Sequence, residues 1–184
     1  MPNWCNNEVT LSHDDPAMLS RAEQAFKAGA FLAEFIPCPK PLLDTVSGSC
    51  AEGYEREVHE VVQKINIKYF GYPNWYDWCL SHWGTKWDVG RDGSCHLDDL
   101  DGLKLSFDSA WSPPIAAYET LETLGFSVLA YYYESGCSFC GRYQEGEDDY
   151  FEIRGDSDWV AKNIPPDIDK ALNISENMAV WETE

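Results

Sequence analysis

Two strings of residues limit what this chain can build: His82-Trp83-Gly84-Thr85-Lys86-Trp87-Asp88 and, nineteen residues after Asp88, Phe107-Asp108-Ser109-Ala110-Trp111-Ser112-Pro113-Pro114. Indoles demand large packing surfaces, glycine permits unusual backbone angles, and a proline pair fixes two successive φ angles. Strings that combine them usually make a rigid corner. Such a corner predicts that Trp83, Trp87 and Trp111 are substantially buried and close together, where an insertion rejoins a sheet. It also predicts that Asp108 caps the turn before Pro113-Pro114, and that Asp88 pairs with Lys86 or caps backbone amides. The competing reading is a ligand groove lined by Trp83, Trp87, Asp88, Asp108 and Trp111, in which paired carboxylates would supply acid/base or metal chemistry.

The hydropathy pattern places elements around these strings. Glu8-Val9-Thr10-Leu11 alternates as a half-buried strand does. Asp14-Asp15-Pro16 opens a helix whose stripe is Ala17, Met18, Ala22, Ala25 and Phe26, with Gly29 as its stop. Phe31 to Ile36 is a short apolar stretch expected to be strand or extended, ended by Pro37, Pro39 and Pro41. Residues 55–69 show helical periodicity through Val58, Val61, Val62, Ile65 and Tyr69, and a short helix is expected at 74–82. Residues 88–102 read as a loop or hairpin. Leu103 to Phe107 is a strand, and Pro113-Pro114 opens a helix that Gly125 ends. Strands at 126–134 and 138–144 are joined by the turn Glu134-Ser135-Gly136-Cys137. Tyr150 to Arg154 adds a further strand, and the tail has helical potential at 157–163 and 167–172.

Repeated strand–helix–strand order of this kind predicts an α+β fold, a ferredoxin-like split βαβ antiparallel sheet. Its helices would lie on one face, and a mostly helical insertion would occupy about 38–100. Residues 1–145 form that domain, and 146–184 form an acidic C-terminal extension packed on it.

The formal net charge is −19, and residues 93–184 hold 5 basic and 19 acidic side chains against 8 and 13 in residues 1–92. Such a surface repels phosphates and anionic lipids and attracts basic partners, so direct nucleic-acid binding is disfavoured. Two clusters stand out: Asp98, Asp99 and Asp101, and Glu145, Glu147, Asp148, Asp149 and Glu152. If they mimic the field of DNA they should be exposed and face one side together. Calcium would need a D-x-D-x-D-G register that is missing here.

Seven cysteines, an odd number, are scattered through the chain and read as free thiols of a reducing compartment. No signal-like segment precedes the first strand, and no apolar run approaches the roughly 20 residues of a membrane span. A cytoplasmic protein is expected. Cys137-x-x-Cys140 is a single knuckle where a zinc site needs a second, and Cys95-His96 would point to opposite faces of a strand. Neither metal nor cofactor is therefore expected. A hydrolytic pair of Cys79 and His82, one helical turn apart, competes with simple aromatic packing.

Together with the opening Met1-Pro2-Asn3-Trp4-Cys5-Asn6-Asn7, the two strings resemble the YubB-like family of phage and plasmid proteins, over roughly residues 1–145. That resemblance implies a ferredoxin-like domain and a mobile-element origin, and no particular reaction. Joined to the charge, it leads to a non-enzymatic acidic protein that binds a basic, nucleic-acid-binding host protein. The alternative is an enzyme or small-ligand binder that uses the Trp-rich groove.

Overall fold

The computed structural model describes residues 3–48, 53–98 and 102–183. The chain begins with β1 (Trp4–Ser12), whose Cys5, Asn7, Val9 and Leu11 point inward on alternate positions. Helix α1 (Pro16–Lys27) starts where Asp15 accepts the amide of Ala17, and it buries Ala22, Ala25 and Phe26. Residues 31–36 are not extended: Phe31–Phe35 coil into α2, burying Phe31 and Leu32. Then come α3 (Lys40–Leu43), α4 (Tyr54–Phe70) and α5 (Trp75–His82), the last capped by Asn74, which accepts from the amides of Tyr76 and Asp77. The stretch expected as loop or hairpin contains β2 (Ser94–Asp98), which pairs with β3 (Gly102–Ala110). Helix α6 (Ile115–Thr123) follows the proline pair, and Gly125 at φ 93° turns the chain into β4 (Ser127–Glu134). Strands β5 (Phe139–Gln144) and β6 (Glu147–Glu152) complete the sheet, followed by α7 (Ser157–Asn163), α8 (Pro166–Leu172) and α9 (Ile174–Glu182).

All neighbouring strands are antiparallel, in the order β2-β3-β1-β4-β5-β6. The first strand is therefore central, flanked by two strands that arrive about a hundred residues later. No helix among the described residues is long and apolar enough to cross a membrane.

The sheet is covered on both faces, not on one. On the first face Val9, Leu11, Leu105, Phe107 and Val128 meet Phe26 of α1, Leu32 of α2, Trp78 of α5, and Tyr118 and Leu121 of α6. On the second face the C-terminal helices place Val160, Ile164, Ile168 and Ile174 over Cys140, with Tyr131, Tyr133 and Phe151 at the margin. The reason lies in β4 and β5. Both carry large side chains on alternate positions of both faces, so one layer of helices cannot bury them. The C-terminal helices sit mainly on that half, with α8 reaching β1, and the second face of β2 and β3 stays open.

Ile168 is 1% exposed. Ile168→Ala should cost about 2–4 kcal/mol through lost burial and a residual cavity, measured as a lowered urea midpoint.

Candidate functional site

The open half of the sheet and the C-terminal helices enclose a cleft of about 1190 Å³. Its floor is the polar alternation of the two central strands: Asn6 and Glu8 from β1, Ser106 and Asp108 from β3. The register pairs Asn6 with Asp108 and Glu8 with Ser106. Within those pairs Asn6 Nδ2 donates to Asp108 Oδ1, and Ser106 Oγ donates to Glu8 Oε1 at 2.6 Å. Each carboxylate is thus held through one oxygen by a neutral donor on the paired strand.

The wall comes from α8 and α9, with Asn177, Met178, Trp181 and Glu182. Trp181 is 77% exposed. Glu182 accepts from the Ser157 amide at 2.9 Å and its hydroxyl at 2.7 Å, which ties the last helix to the start of α7. Glu8, Asp92, Asp108 and Glu182 all line the cleft, and none of its described lining residues is Lys, Arg or His. A concave surface with four carboxylates and no cation focuses a negative potential.

A smaller depression of about 520 Å³ continues from Asp92 and Asp108 towards Trp4, Trp87 and Asp88, with Arg91 on its side. Three of the five residues expected in a Trp-rich groove, Trp87, Asp88 and Asp108, do line this depression. Trp83 and Trp111 do not.

The expected burial holds for Trp83 and is corrected for Trp87 and Trp111. Trp83 is 5% exposed, packs edge-on against Trp78, and donates from Nε1 to the Ile36 carbonyl at 2.9 Å. Trp87 and Trp111 are each 39% exposed and lie on the surface. Between them sits the Lys86 ammonium, 4.4 Å from the Trp87 ring centroid, 5.2 Å from Trp111 and 5.6 Å from Tyr76. A desolvated cation attracts the negative faces of such rings, which makes this surface arrangement favourable without full burial. Trp111 also adopts φ 68°, a left-handed backbone that costs a bulky residue of order 1 kcal/mol or more. Its amide donates to the Asn3 carbonyl at 2.9 Å, and the hydroxyl of Ser109 closes the turn onto the Ser112 carbonyl at 2.7 Å.

The two aspartates of the strings have separate partners. Asp108 does not cap the turn before the prolines; Ser109 does, while Asp108 binds Asn6 on the opposite face. Asp88 does not pair with Lys86. It caps α2, accepting from the Leu32 amide at 2.7 Å, the Ala33 amide at 2.9 Å and its neighbour Val89 at 2.8 Å. Burial pushes its carboxyl above the ordinary aspartate value, against the three amide bonds that pull it down.

The acidic clusters are not on one side. Glu145, Glu147, Asp148, Asp149 and Glu152 are all exposed, at or beside β6. Consecutive strand residues point to opposite faces, so Glu147 and Asp149 face one way and Asp148 and Glu152 the other. Several are engaged: Tyr132 donates to Asp148, Arg142 to Asp149, and Arg154 to Glu152. Asp98 lies on β2 at the far edge of the sheet, five inter-strand steps or roughly 24 Å away. Asp99 and Asp101 lie outside the described residues.

A Cys79–His82 nucleophile is not what the geometry provides. The His82 ring stacks on Trp78 at 4.2 Å with its Nδ1 3.0 Å from the Trp78 carbonyl. Burial, with Cys38 and Asp88 nearby, pushes the Cys79 thiol up to about 12. Cys137 is exposed and Cys140 is buried beneath the C-terminal helices.

The cleft is the feature sequence reasoning missed. The signal was present in the polar members of the alternating strands, but it became a site only through a pairing of residues 102 apart.

The fold and cleft define a mixed α+β protein with a six-stranded open antiparallel sheet and an acidic concave surface. No protein-family model matches the chain, and no curated protein matches it. Among solved structures it is similar to that of api92 from Yersinia pseudotuberculosis, described with the family model DUF1281. The likeness has 12% identity and a TM-score of 0.44, and covers 84% of this chain and 99% of that one.

Trp83→Ala should cost about 3–5 kcal/mol, because a buried indole and its hydrogen bond are lost together. Trp111 behaves differently: Trp111→Gly should be about 1 kcal/mol more stable than Trp111→Ala, since glycine accepts positive φ without strain. Chemical unfolding of the three variants measures both. Asp88→Ala should cost about 1–3 kcal/mol by orphaning the α2 amides. Because the folded carboxyl titrates above its unfolded value, ionisation opposes folding, and stability falls as pH rises through that window. Asp88→Asn should remove this component from the stability–pH profile.

Proposed function

We propose that this chain is a non-enzymatic acidic interaction protein whose cleft holds a basic segment of a partner protein. The observation that carries the reading is the cleft lined by Glu8, Asp92, Asp108 and Glu182 with no basic side chain among its described lining residues. An arginine- or lysine-bearing segment gains charge-assisted hydrogen bonds there, whereas a phosphate or carboxylate ligand is repelled. Asn6 and Asn177 beside the carboxylates offer amide groups to a bound backbone.

The core of the proposed protein is ferredoxin-like. In that reading β1-α1-β2-β3-α6-β4 forms the split βαβ unit, with β5 and β6 added at one edge. The strand order β2-β3-β1-β4, with β1 between the strands that follow later, supports it. The resemblance of the Trp-rich strings to YubB-like proteins supports a phage or plasmid origin. A basic, nucleic-acid-binding host protein then fits as the partner, and the carboxylates of β6 would speed its approach through the long-range negative field.

Titration calorimetry with a basic peptide tests the reading. Binding should be measurable at 0.1 M salt and nearly lost at 1 M, where the Debye length falls from about 10 Å to about 3 Å. The pair Glu8→Gln and Asp108→Asn should weaken binding about tenfold. Changing Glu145 and Glu147, unpaired among the described residues, to Gln should slow association and alter stability by no more than about 0.5 kcal/mol each. Extending the change to Asp148, Asp149 and Glu152 should slow association further while the fold is retained. An absence of binding at low salt, or affinity unchanged by the cleft pair, would refute the proposal.

A further inference from the structure

Helix α4 presents its faces the wrong way round for a helix docked on a core. Its more shielded positions, His59, Gln63, Asn66 and Phe70, are mostly polar. Its apolar stripe, Tyr54, Val58, Val61 and Ile65, is exposed at 79%, 44%, 55% and 49%. The spacing i, i+4, i+7, i+11 is the one that normally marks a buried helix face.

The orientation is fixed from the other side. Asn66 is 2% exposed, and its Nδ2 donates to Thr45 Oγ1 at 2.8 Å and to the Pro73 carbonyl at 3.0 Å. Phe70 packs against the main core, and Gly71 at φ 82° ends the helix. Rotating the stripe inward would strand that buried amide, so the apolar face is held towards solvent.

We infer that this face pairs with the same face of a second copy, the two helices running antiparallel about a two-fold axis. Charge selects this occupant. With 13 basic and 32 acidic side chains, two copies of the chain repel over most of their surfaces. Helix α4 is an exception, balancing Glu55, Glu57 and Glu60 against Arg56, Lys64 and Lys68. The signs are also ordered, with the glutamates towards the N-terminus and both lysines towards the C-terminus. Antiparallel pairing sets acidic half against basic half, whereas parallel pairing sets like against like.

The stripe supplies a register. Val58 lies against the partner's Val61, and Tyr54 against the partner's Ile65, each contact occurring twice by symmetry. Alternating steps of three and four residues form the seam of a shallow left-handed crossing. The same register brings Glu57 towards the partner's Lys64. Neither residue makes an ion pair within the chain among the described residues, so both are available. A helix of 17 residues is about 25 Å long, and a pair of that length buries less than the roughly 1,600 Å² of a standard interface. A small interface of this kind is expected to associate reversibly.

Sedimentation equilibrium of the whole chain at 0.15 M salt, from about 1 to 500 μM, tests this directly. The expected result is a monomer–dimer equilibrium. Val61→Glu, at an exposed position, should leave the circular dichroism and melting curve intact and abolish the dimer. Glu57→Lys should weaken the dimer at least tenfold by opposing the partner's Lys64. Adding Lys64→Glu to that variant should restore it, which a merely structural effect on α4 would not do. A monomer at every concentration overturns the inference, and so does a dimer that none of these substitutions shifts.

Discussion

The short segment from Trp83 to Asp88 ties this molecule together, because the polar groups of Trp83, Gly84, Thr85 and Asp88 find partners in different parts of the chain. Trp83 donates to Ile36 behind α2, and its carbonyl accepts from Ala117 in α6 at 3.3 Å. The Gly84 carbonyl accepts from the Ser112 hydroxyl at 2.6 Å, and Thr85 donates to Ala110 at the end of β3 at 3.0 Å. Asp88 then caps α2. Buried backbone groups left unpaired cost about as much as a lost hydrogen bond, so one hexapeptide locks three separate elements to each other. Gly84 sits at φ 84°, with the place of a Cβ only 3.0 Å from the Ile115 amide, which excludes any larger residue without movement. The string is a clasp, and its rarity in composition reflects the number of partners it serves.

Strands and most helices were legible because their signals are local. Alternation in residues 8–11 and 103–107, the cap at Asp15 and the proline pair before Ile115 depend only on neighbours a few residues away. Helix α2 was not legible for the opposite reason. Five residues hold too little periodicity to separate coil, strand and helix, and its N-terminal amides are satisfied by an aspartate more than fifty residues downstream. The stripe of α4 was legible as a helix, but its outward direction follows from Asn66, whose partners Thr45 and Pro73 come from segments on either side. The covering of the second sheet face was hidden in the same way, since alternate aromatic residues in β4 show two apolar faces without showing what fills the second.

The candidate site was legible in residue types and not in assembly. Asp88 and Asp108 attract attention as carboxylates beside tryptophans, yet one closes a helix and the other lies on the cleft floor. The three indoles looked equivalent, although burial of an indole depends on what surrounds it in space. Lys86 supplies the difference by giving two of them a cation to face at the surface. Glu8 and Glu182, which line the cleft, lie far apart in the sequence, and only the folded chain brings them to one surface.

Strand β6 has an effect that reaches past any partner. It closes one side of the sheet while leaving a row of unpaired backbone groups, the usual template for fibril growth. Its carboxylates alternate through both faces, so a second β6 laid alongside would press like charges together above and below the backbone. Neutral or apolar side chains there would turn the same edge adhesive. The acidity of this strand thus opposes edge-to-edge stacking of an aromatic-rich chain.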